Sequence, residues 1–345
     1  MEVTLIDSTL RDGSHAVMQQ LSANEIKAYA QGAEKAGMPI LMVGHGNGLG
    51  ASSLQLGLSL LTDHQMLKAA KSRLHKTKLG AFLTPGFGTI EKDLNPALAD
   101  GVEIMMVASH CTEANLTREH IEYLARKNIE TYGVLMMVHM ASPEKLLEQA
   151  KLMESYGARA ILLMDSAGSL LPDDVVDRMR NLSANLKIDV GFHAHNNLGM
   201  AIANSIAAVS SGAKIIDGTT RGLGAGAGNC QLEVLAAVCE KLGIKTNIDL
   251  YALMDLSENV VTKIRKFPQD ITAVSLVSGM EGLSSGFAPH AKRAASKFGV
   301  DVKNILQELV RRNVVVGQED IIIDVAYNLK RKKIKPATEP IEALL

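Results

Sequence analysis

The sequence predicts an α/β protein: a closed (β/α)8 TIM barrel over residues 1–245, followed by a helical module over residues 246–345. Three observations carry that expectation. Eight short apolar runs recur through the first 245 residues, nearly all followed by a helical pattern, and eight β-α units in series favour a closed parallel barrel over an open doubly wound sheet. Most runs are continuous rather than alternating, as strands covered on both faces are. Beyond residue 246 the runs stop and only helical stripes continue.

The expected strands are Val3–Ile6, Ile40–Val43, Leu79–Leu83, Ile104–Ala108, Val134–Val138, Ala160–Met164, Val190–Phe192 and Lys214–Ile216. Between them the helix signals are legible. Ser22 and Glu25 form a capping box ahead of the first helix, and Gly37 follows it as a stop. Ser142 and Pro143 place a cap before a proline in the first helical turn, with Gly157 at the far end. In the last hundred residues, apolar stripes run through Leu250, Leu253, Val260, Val261 and Ile264, then Val302 to Val310, then Ile322 to Leu329. The basic run Lys330–Lys333 reads as a solvated tail.

Composition narrows the function. Of 345 residues, 47% are hydrophobic and 21% charged, with 36 Lys and Arg against 37 Asp and Glu. A formal charge of −1 leaves no global electrostatic case for nucleic acid or an anionic membrane. Cys111, Cys230 and Cys239 form no CxxC pair, which points to a reducing, cytoplasmic setting. The opening residues carry Glu2 and Asp7 where a secretory leader would be basic. No apolar stretch is long enough to span a bilayer.

In such barrels the reactive groups sit where strands end and βα loops begin. Two segments stand out there, Arg11-Asp12-Gly13-Ser14-His15 after the first strand and His193-Ala194-His195 at the end of the seventh. Residues two apart in extended chain face the same side, so both imidazoles would meet Asp12 above the barrel axis. Two His and one carboxylate suit a divalent metal, with positions left for substrate and water. Arg11 keeps its charge and would stabilise an oxyanion or enolate, and His15 suits a general base. The lysines near strands, Lys78, Lys187 and Lys214, lie at strand starts, the wrong end for imine chemistry. Ser166, after the sixth strand, would donate to a carboxylate or cap its turn. The glycine loop 222–229 leads into a helix over Gln231–Leu242 and reads equally as a tight turn or as a place where backbone approaches a ligand. His139 falls within the fifth strand's pattern and reads as a core histidine. The sixteen methionines read as core filler.

The segments D-S-T-L-R-D-G-S-H-A-V (7–17), G-H-G-N-G-L-G-A-S-S (44–53), S-H-C-T-E-A (109–114), H-A-H-N-N-L-G-M-A-I-A-N-S (193–205), G-L-G-A-G-A-G-N (222–229) and V-G-Q-E-D-I-I-I-D-V-A (316–326) together resemble the 4-hydroxy-2-oxovalerate aldolases. These belong to a larger group of metal-dependent barrel lyases and synthases. The resemblance covers nearly the whole chain and implies a class II pyruvate aldolase of aromatic hydrocarbon catabolism. Asp12, His193 and His195 would hold the metal, usually Mn2+ with Co2+, Mg2+ or Zn2+ as alternatives. Arg11, Ser166 and His193 would bind pyruvate, and His15 would handle the proton of the C4 hydroxyl. It also implies an oligomer and a complex with an acylating acetaldehyde dehydrogenase, docked through the C-terminal module.

The chain departs from the family pattern at Met280 and Leu283, where tyrosines are usual, at Thr219-Thr220-Arg221, and at Asn47. Leu283 offers no hydroxyl, so the expectation is an apolar aldehyde pocket, reshaped by Phe82 and Phe87, that prefers a larger or less polar aldehyde than acetaldehyde. Two other readings remain open at this stage, an acyl-CoA-dependent Claisen enzyme of the same barrel group and a non-catalytic scaffold for the dehydrogenase.

Overall fold

The computed structural model describes residues 1–265, 268–315 and 317–334. Eight parallel strands close into a barrel in chain order, with β1 (Thr4–Leu10) paired to both β2 (Ile40–Val43) and β8 (Ile215–Gly218). Between them run β3 (Lys78–Leu83), β4 (Ile104–His110), β5 (Glu130–Met136), β6 (Ala160–Asp165) and β7 (Asp189–Ala194). One apolar cluster fills the barrel interior, with Ile6, Met42, Met106, Val134, Leu162, Met164 and Ile215 among its members. A larger one lies between strands and helices. Methionines do serve as filler in both.

The helix signals act where the sequence puts them. Ser22 and Glu25 form a reciprocal capping box on Ala23–Lys35, and Ser142 caps Pro143–Ser155 by accepting from the Lys145 amide. Several strands end later than their apolar runs. β1 continues through Asp7, Ser8 and Thr9 because a barrel strand stays extended beyond its core-filling part, and its polar end is buried all the same. β5 instead lies earlier than expected. It uses Glu130–Met136 and stops where Met137 takes a left-handed φ of 57°. His139 therefore belongs to a short 3-10 turn, Val138–Met140, and is only partly buried.

The helical stripe around Leu253, Val261 and Ile264 packs in the barrel's outer cluster. A separate cluster begins at Val274 and joins the helices Ala273–Glu281, Phe287–Phe298, Val302–Arg311 and Ile321–Ile334. By packing, the change from barrel to module thus falls after Ile264, later than residue 245. The stripes at 302–310 and 322–329 bury Ile305, Leu306, Leu309, Ile322, Val325 and Ala326 against that cluster, so these side chains are not a free docking face. Lys330–Lys333 continue the helix Ile321–Ile334 rather than forming a tail. Val316 and residues 335–345 lie outside the described residues. No helix among the described residues is long and apolar enough to cross a membrane.

Candidate active site

Strand register builds the centre. His193 lies level with Asp217 between β7 and β8, and Asp217 lies level with Ile6 between β8 and β1. The His193 Nδ1–H donates to Asp217 Oδ2 at 2.8 Å, which leaves its Nε2 buried with no partner among the described residues. His195 follows two residues on, with its Nδ1 equally buried and unpartnered. Asp12 completes the group. One ligand atom from each of Asp12, His193 and His195 lies within 4.8 Å of the other two, and all three residues are buried. Burying unpartnered imidazole nitrogens costs free energy unless something occupies them. This donor set is compatible with a divalent metal.

Electrostatics keep Asp12 and His195 in ligand form. Burial alone would raise the Asp12 carboxyl, but the Arg11 guanidinium and the histidines beside it hold it well below the usual carboxylate range. Burial lowers His195 to about 4, against the opposing pull of Asp12. A carboxylate beside a neutral imidazole is the protonation state that metal binding requires of such groups.

Arg11 is buried with the group. Its Nη1 reaches Asp12 Oδ1 at 3.1 Å and the Gly46 carbonyl at 3.3 Å, and its Nη2 lies 3.5 Å from Asp217 Oδ2. Its guanidinium carbon stands 4.6 Å from the centre of the Phe82 ring. These contacts fix a cation beside the cluster without neutralising it fully, the arrangement that stabilises a developing oxyanion.

A cavity of about 130 Å³ opens over these residues. Arg11, Asp12, His15, Ser166, His195, Phe82 and Phe87 line it from the barrel side, and Ser284, His290, Arg293 and Glu319 from the helical module. Ser166 accepts the Met137 amide at 3.1 Å, and the nearest acceptor for its own proton is the Met164 carbonyl at 3.5 Å, too long to hold it. That hydroxyl can therefore donate into the cavity.

Of the departures from the family pattern, Asn47 lines the cavity and the others fall elsewhere. Leu283 is buried in the module's own cluster, not on the cavity, and Met280 is exposed. The expectation of an apolar aldehyde wall built on Leu283 is thus overturned, because His290, Arg293 and Glu319 make that wall polar. Thr220 bonds Tyr29 and Thr9 behind the strands, and Arg221 bonds Glu258 at the outer helix layer.

Three supporting residues had no clear sequence signal. Asn229 donates to Asp12 Oδ2 at 2.6 Å and to the Leu223 carbonyl at 3.1 Å. Asp217 orients His193. Gln19 lines the cavity against His15. An acidic residue at the end of the eighth strand was the one available hint, since carboxylates commonly back metal-binding histidines. The glycine loop now has a structural reason. A Cβ on Gly224 would stand 2.2 Å from Asn229 Nδ2 and 2.7 Å from Asp12 Oδ2, and the amide of Ala227 and the carbonyls of Gly224 and Gly226 are already bonded by Asn197 and Gln269. The loop closes on Asp12 through Asn229.

Comparison with known proteins gives a consistent picture. The HMGL-like family model matches residues 2–260, and the model of the DmpG-like communication domain matches residues 269–331. A 4-hydroxy-2-oxovalerate aldolase of Spirochaeta aurantia is 52% identical over 330 residues, covering 96% of this chain and 97% of its own. Proteins of the same name from Pectobacterium atrosepticum and Geobacillus thermodenitrificans are 50% and 48% identical, each across 96% of this chain and 96% and 97% of their own. Among solved structures, the N-terminal domain of a putative aldolase from Bacteroides vulgatus superposes with a TM-score of 0.72 at 22% identity, over 86% of this chain and 98% of that one. The carboxyl transferase domain of Rhizobium etli pyruvate carboxylase superposes with a TM-score of 0.80 at 16% identity, over 97% of this chain and 61% of that one. At such identities these two likenesses speak for the fold alone.

Proposed function

The chain belongs to the 4-hydroxy-2-oxovalerate aldolase family, and from that premise we propose that it is a carbon–carbon lyase which reversibly cleaves a 4-hydroxy-2-oxo acid into pyruvate and an aldehyde. The observation that carries this reading is the buried Asp12–His193–His195 group, with orphaned ring nitrogens, lying beside Arg11 at the floor of the cavity. Asp12, His193 and His195 would hold a divalent cation, Mn2+ being our assignment with Co2+, Mg2+ or Zn2+ as alternatives. When bound it supplies Lewis-acid polarisation of the keto acid, with no covalent attachment of substrate to protein.

The chain's own residues do the rest. Arg11 places its charge where the enolate oxygen develops, and its ion pairs with Asp12 and Asp217 hold it there before substrate arrives, so little reorganisation is needed during reaction. The free Ser166 proton binds the pyruvate carboxylate. His195 borders the same floor and, being neutral, does not compete with Arg11 for the enolate. His15 stands over the C4 oxygen and acts on its proton or its charge. Identity of 52% to a named aldolase along nearly the whole chain disfavours the acyl-CoA alternative, and keeping this polar cluster at the barrel mouth disfavours a scaffold without chemistry.

The match of residues 269–331 to a DmpG-like communication domain supports an acylating acetaldehyde dehydrogenase as partner. Because the module's apolar stripes are internal, docking would use its exposed residues, such as Leu276, Met280, Ile323 and Tyr327. We place the protein in the cytoplasm as an oligomer, a setting that suits three free buried thiols.

The test is the first half-reaction. With metal added and no aldehyde present, the protein should exchange the methyl protons of pyruvate with solvent deuterium. A metal-loaded protein that exchanges none would overturn the reading.

A further inference from the structure

The turn after β6 carries the Ser166 hydroxyl, and its backbone is held from outside the strand. Gly168 closes the turn with a φ of 58° and donates its N–H to the Asp165 carbonyl at 3.0 Å. Ser166 and Ala167 lie beyond the end of β6 and are buried, so the carbonyl of each needs a donor from elsewhere. The Ser285 backbone N–H supplies the first at 3.0 Å, and Asn197 Nδ2 supplies the second at 2.9 Å. Ser285 belongs to the module, between the helices Ala273–Glu281 and Phe287–Phe298. Asn197 lies two residues past His195, in the loop after β7.

Asn197 is fully buried, and its neighbours settle which end of its amide is which. The Ala227 N–H donates to Oδ1 at 3.0 Å, while the Ala167 carbonyl can only accept, so the amino group must face Ala167. The same amino group reaches Ser285 Oγ at 2.8 Å. One side chain thus joins the Ser166 turn, the glycine loop, the segment that carries His195, and the module. The junction is also tightly packed. A Cβ on Gly226 would stand 2.6 Å from Asn197 Oδ1 and 3.0 Å from Ser285 Oγ, and one on Gly168 would stand 2.8 Å from the Asn197 backbone nitrogen. Neither Asn197 nor Ser285 lines the cavity, whereas Ser166 does.

We propose that Asn197 and Ser285 are positioning residues for pyruvate: together they pin the turn after β6 so that the Ser166 hydroxyl is aimed at the substrate carboxylate, and pyruvate binding therefore depends on how the C-terminal module is seated. The pinning stands on the hydrogen bonds alone; its consequence for pyruvate rests on the aldolase reading. Both residues act through Ser166 rather than on the substrate. Without the module, the Ser166 carbonyl would lose its donor and the Asn197 amino group one of its acceptors. A donor fixed before substrate arrives spends little of the binding energy on ordering, and that economy disappears when its supports are loosened. A shift of the 284–286 segment would thus reach pyruvate without passing through the metal ligands.

Two variants test this in the full-length, Mn2+-loaded protein. Ser285→Ala removes the hydroxyl that accepts from Asn197 and keeps the backbone bond to Ser166. Asn197→Asp keeps the acceptor for Ala227 but replaces the amino donor by a second acceptor. In the exchange of pyruvate methyl protons, Ser285→Ala should raise KM by about 2- to 10-fold and Asn197→Asp by more, with kcat changed much less. Ser166→Ala should raise KM by about 10- to 100-fold, and in that background Ser285→Ala should have no further effect. The same multiple in both backgrounds would overturn the route through Ser166. The affinity of Ser285→Ala for Mn2+ should match that of the wild type; a parallel loss would mean that the whole mouth had loosened and would overturn the assignment. The Met137 amide, which donates to Ser166 Oγ at 3.1 Å, gives a readout that needs no turnover. Its protection from hydrogen exchange should fall in both variants, and unchanged protection would remove the pinning. Should Asn197→Asp fail to fold, Ser285→Ala and the Ser166→Ala background still decide. A wild type that exchanges no pyruvate protons counts against the aldolase reading alone, since the Met137 amide reports on the pinning in either case.

Discussion

The two ends of the barrel use charged and titratable side chains in opposite ways. At the C-terminal ends of β1, β7 and β8, Arg11, Asp12, His193, His195 and Asp217 are buried together, and several of their polar atoms have no partner. At the N-terminal ends of the strands the charges are exposed and paired, Lys78 with Glu130 at 2.7 Å and Lys71 with Glu103 at 2.8 Å, while Glu34 gathers the amides of His75, Lys76 and Thr77. Burial of incompletely bonded polar groups costs stability; exposed pairs cost and contribute little. The difference teaches that one end of the barrel accepts strain for binding and the other is left to hold the fold.

That contrast is open to direct test, beginning with the metal cluster. Asp12→Ala and His195→Ala should lose metal and activity together, read as metal content after dialysis and as turnover; near-normal turnover in metal-stripped buffer would remove these ligands. Gly46→Ala should follow, because its Cβ would displace the His15 ring, the mobile end of a side chain rather than backbone. Turnover should drop by about 10²- to 10⁴-fold while the thermal midpoint changes little, and a fully active variant would sink the placement of His15. Asn229→Ala frees one oxygen of Asp12; metal titration should find affinity weakened by about 10- to 100-fold.

Changes at the opposite end should touch stability alone. Glu34 is held down to about 2: burial would raise it, but the Thr77, His75 and Lys76 amides it accepts outweigh that. Its folded value lies below its ordinary one, so its contribution is fully present above the usual carboxylate range and is lost as pH falls through about 2. Glu34→Gln should therefore cost about 1 kcal/mol or less near neutrality, a bound already reduced for its exposure, and the difference from wild type should shrink in acid denaturation. Lys78→Ala should be smallest, within about 0.5 kcal/mol and weaker still in high salt. A large loss of turnover from either change would break the division between the two ends.

Much of the active centre was legible because barrel geometry converts sequence position into spatial position. His193 and His195, two apart at a strand end, and Asp12, just past another, were bound to meet once the strands closed. Gln19, Asp217 and Asn229 were not legible. Their roles depend on side-chain hydrogen bonds across 4, 24 and 217 residues, and no local periodicity encodes such partners. The limits of β5 were misplaced for a related reason, since its apolar run continues past the strand, which ends only because Met137 adopts a left-handed conformation and starts a turn.

By itself the sequence determined the eight β-α units, the caps that start their helices, the meeting of Asp12 with His193 and His195, and the family, because each is carried by local pattern or by short contiguous motifs. The tertiary structure decided which face Leu283 occupies, and therefore that the cavity's outer wall is polar. It also decided that the glycine loop closes on Asp12 through Asn229, that the 250–264 helices belong with the barrel, and that His15 is gripped by Gln19. Each of these depends on which surfaces meet after the chain has closed, and the free energy of burying one face against another is a property of the assembled molecule rather than of any segment.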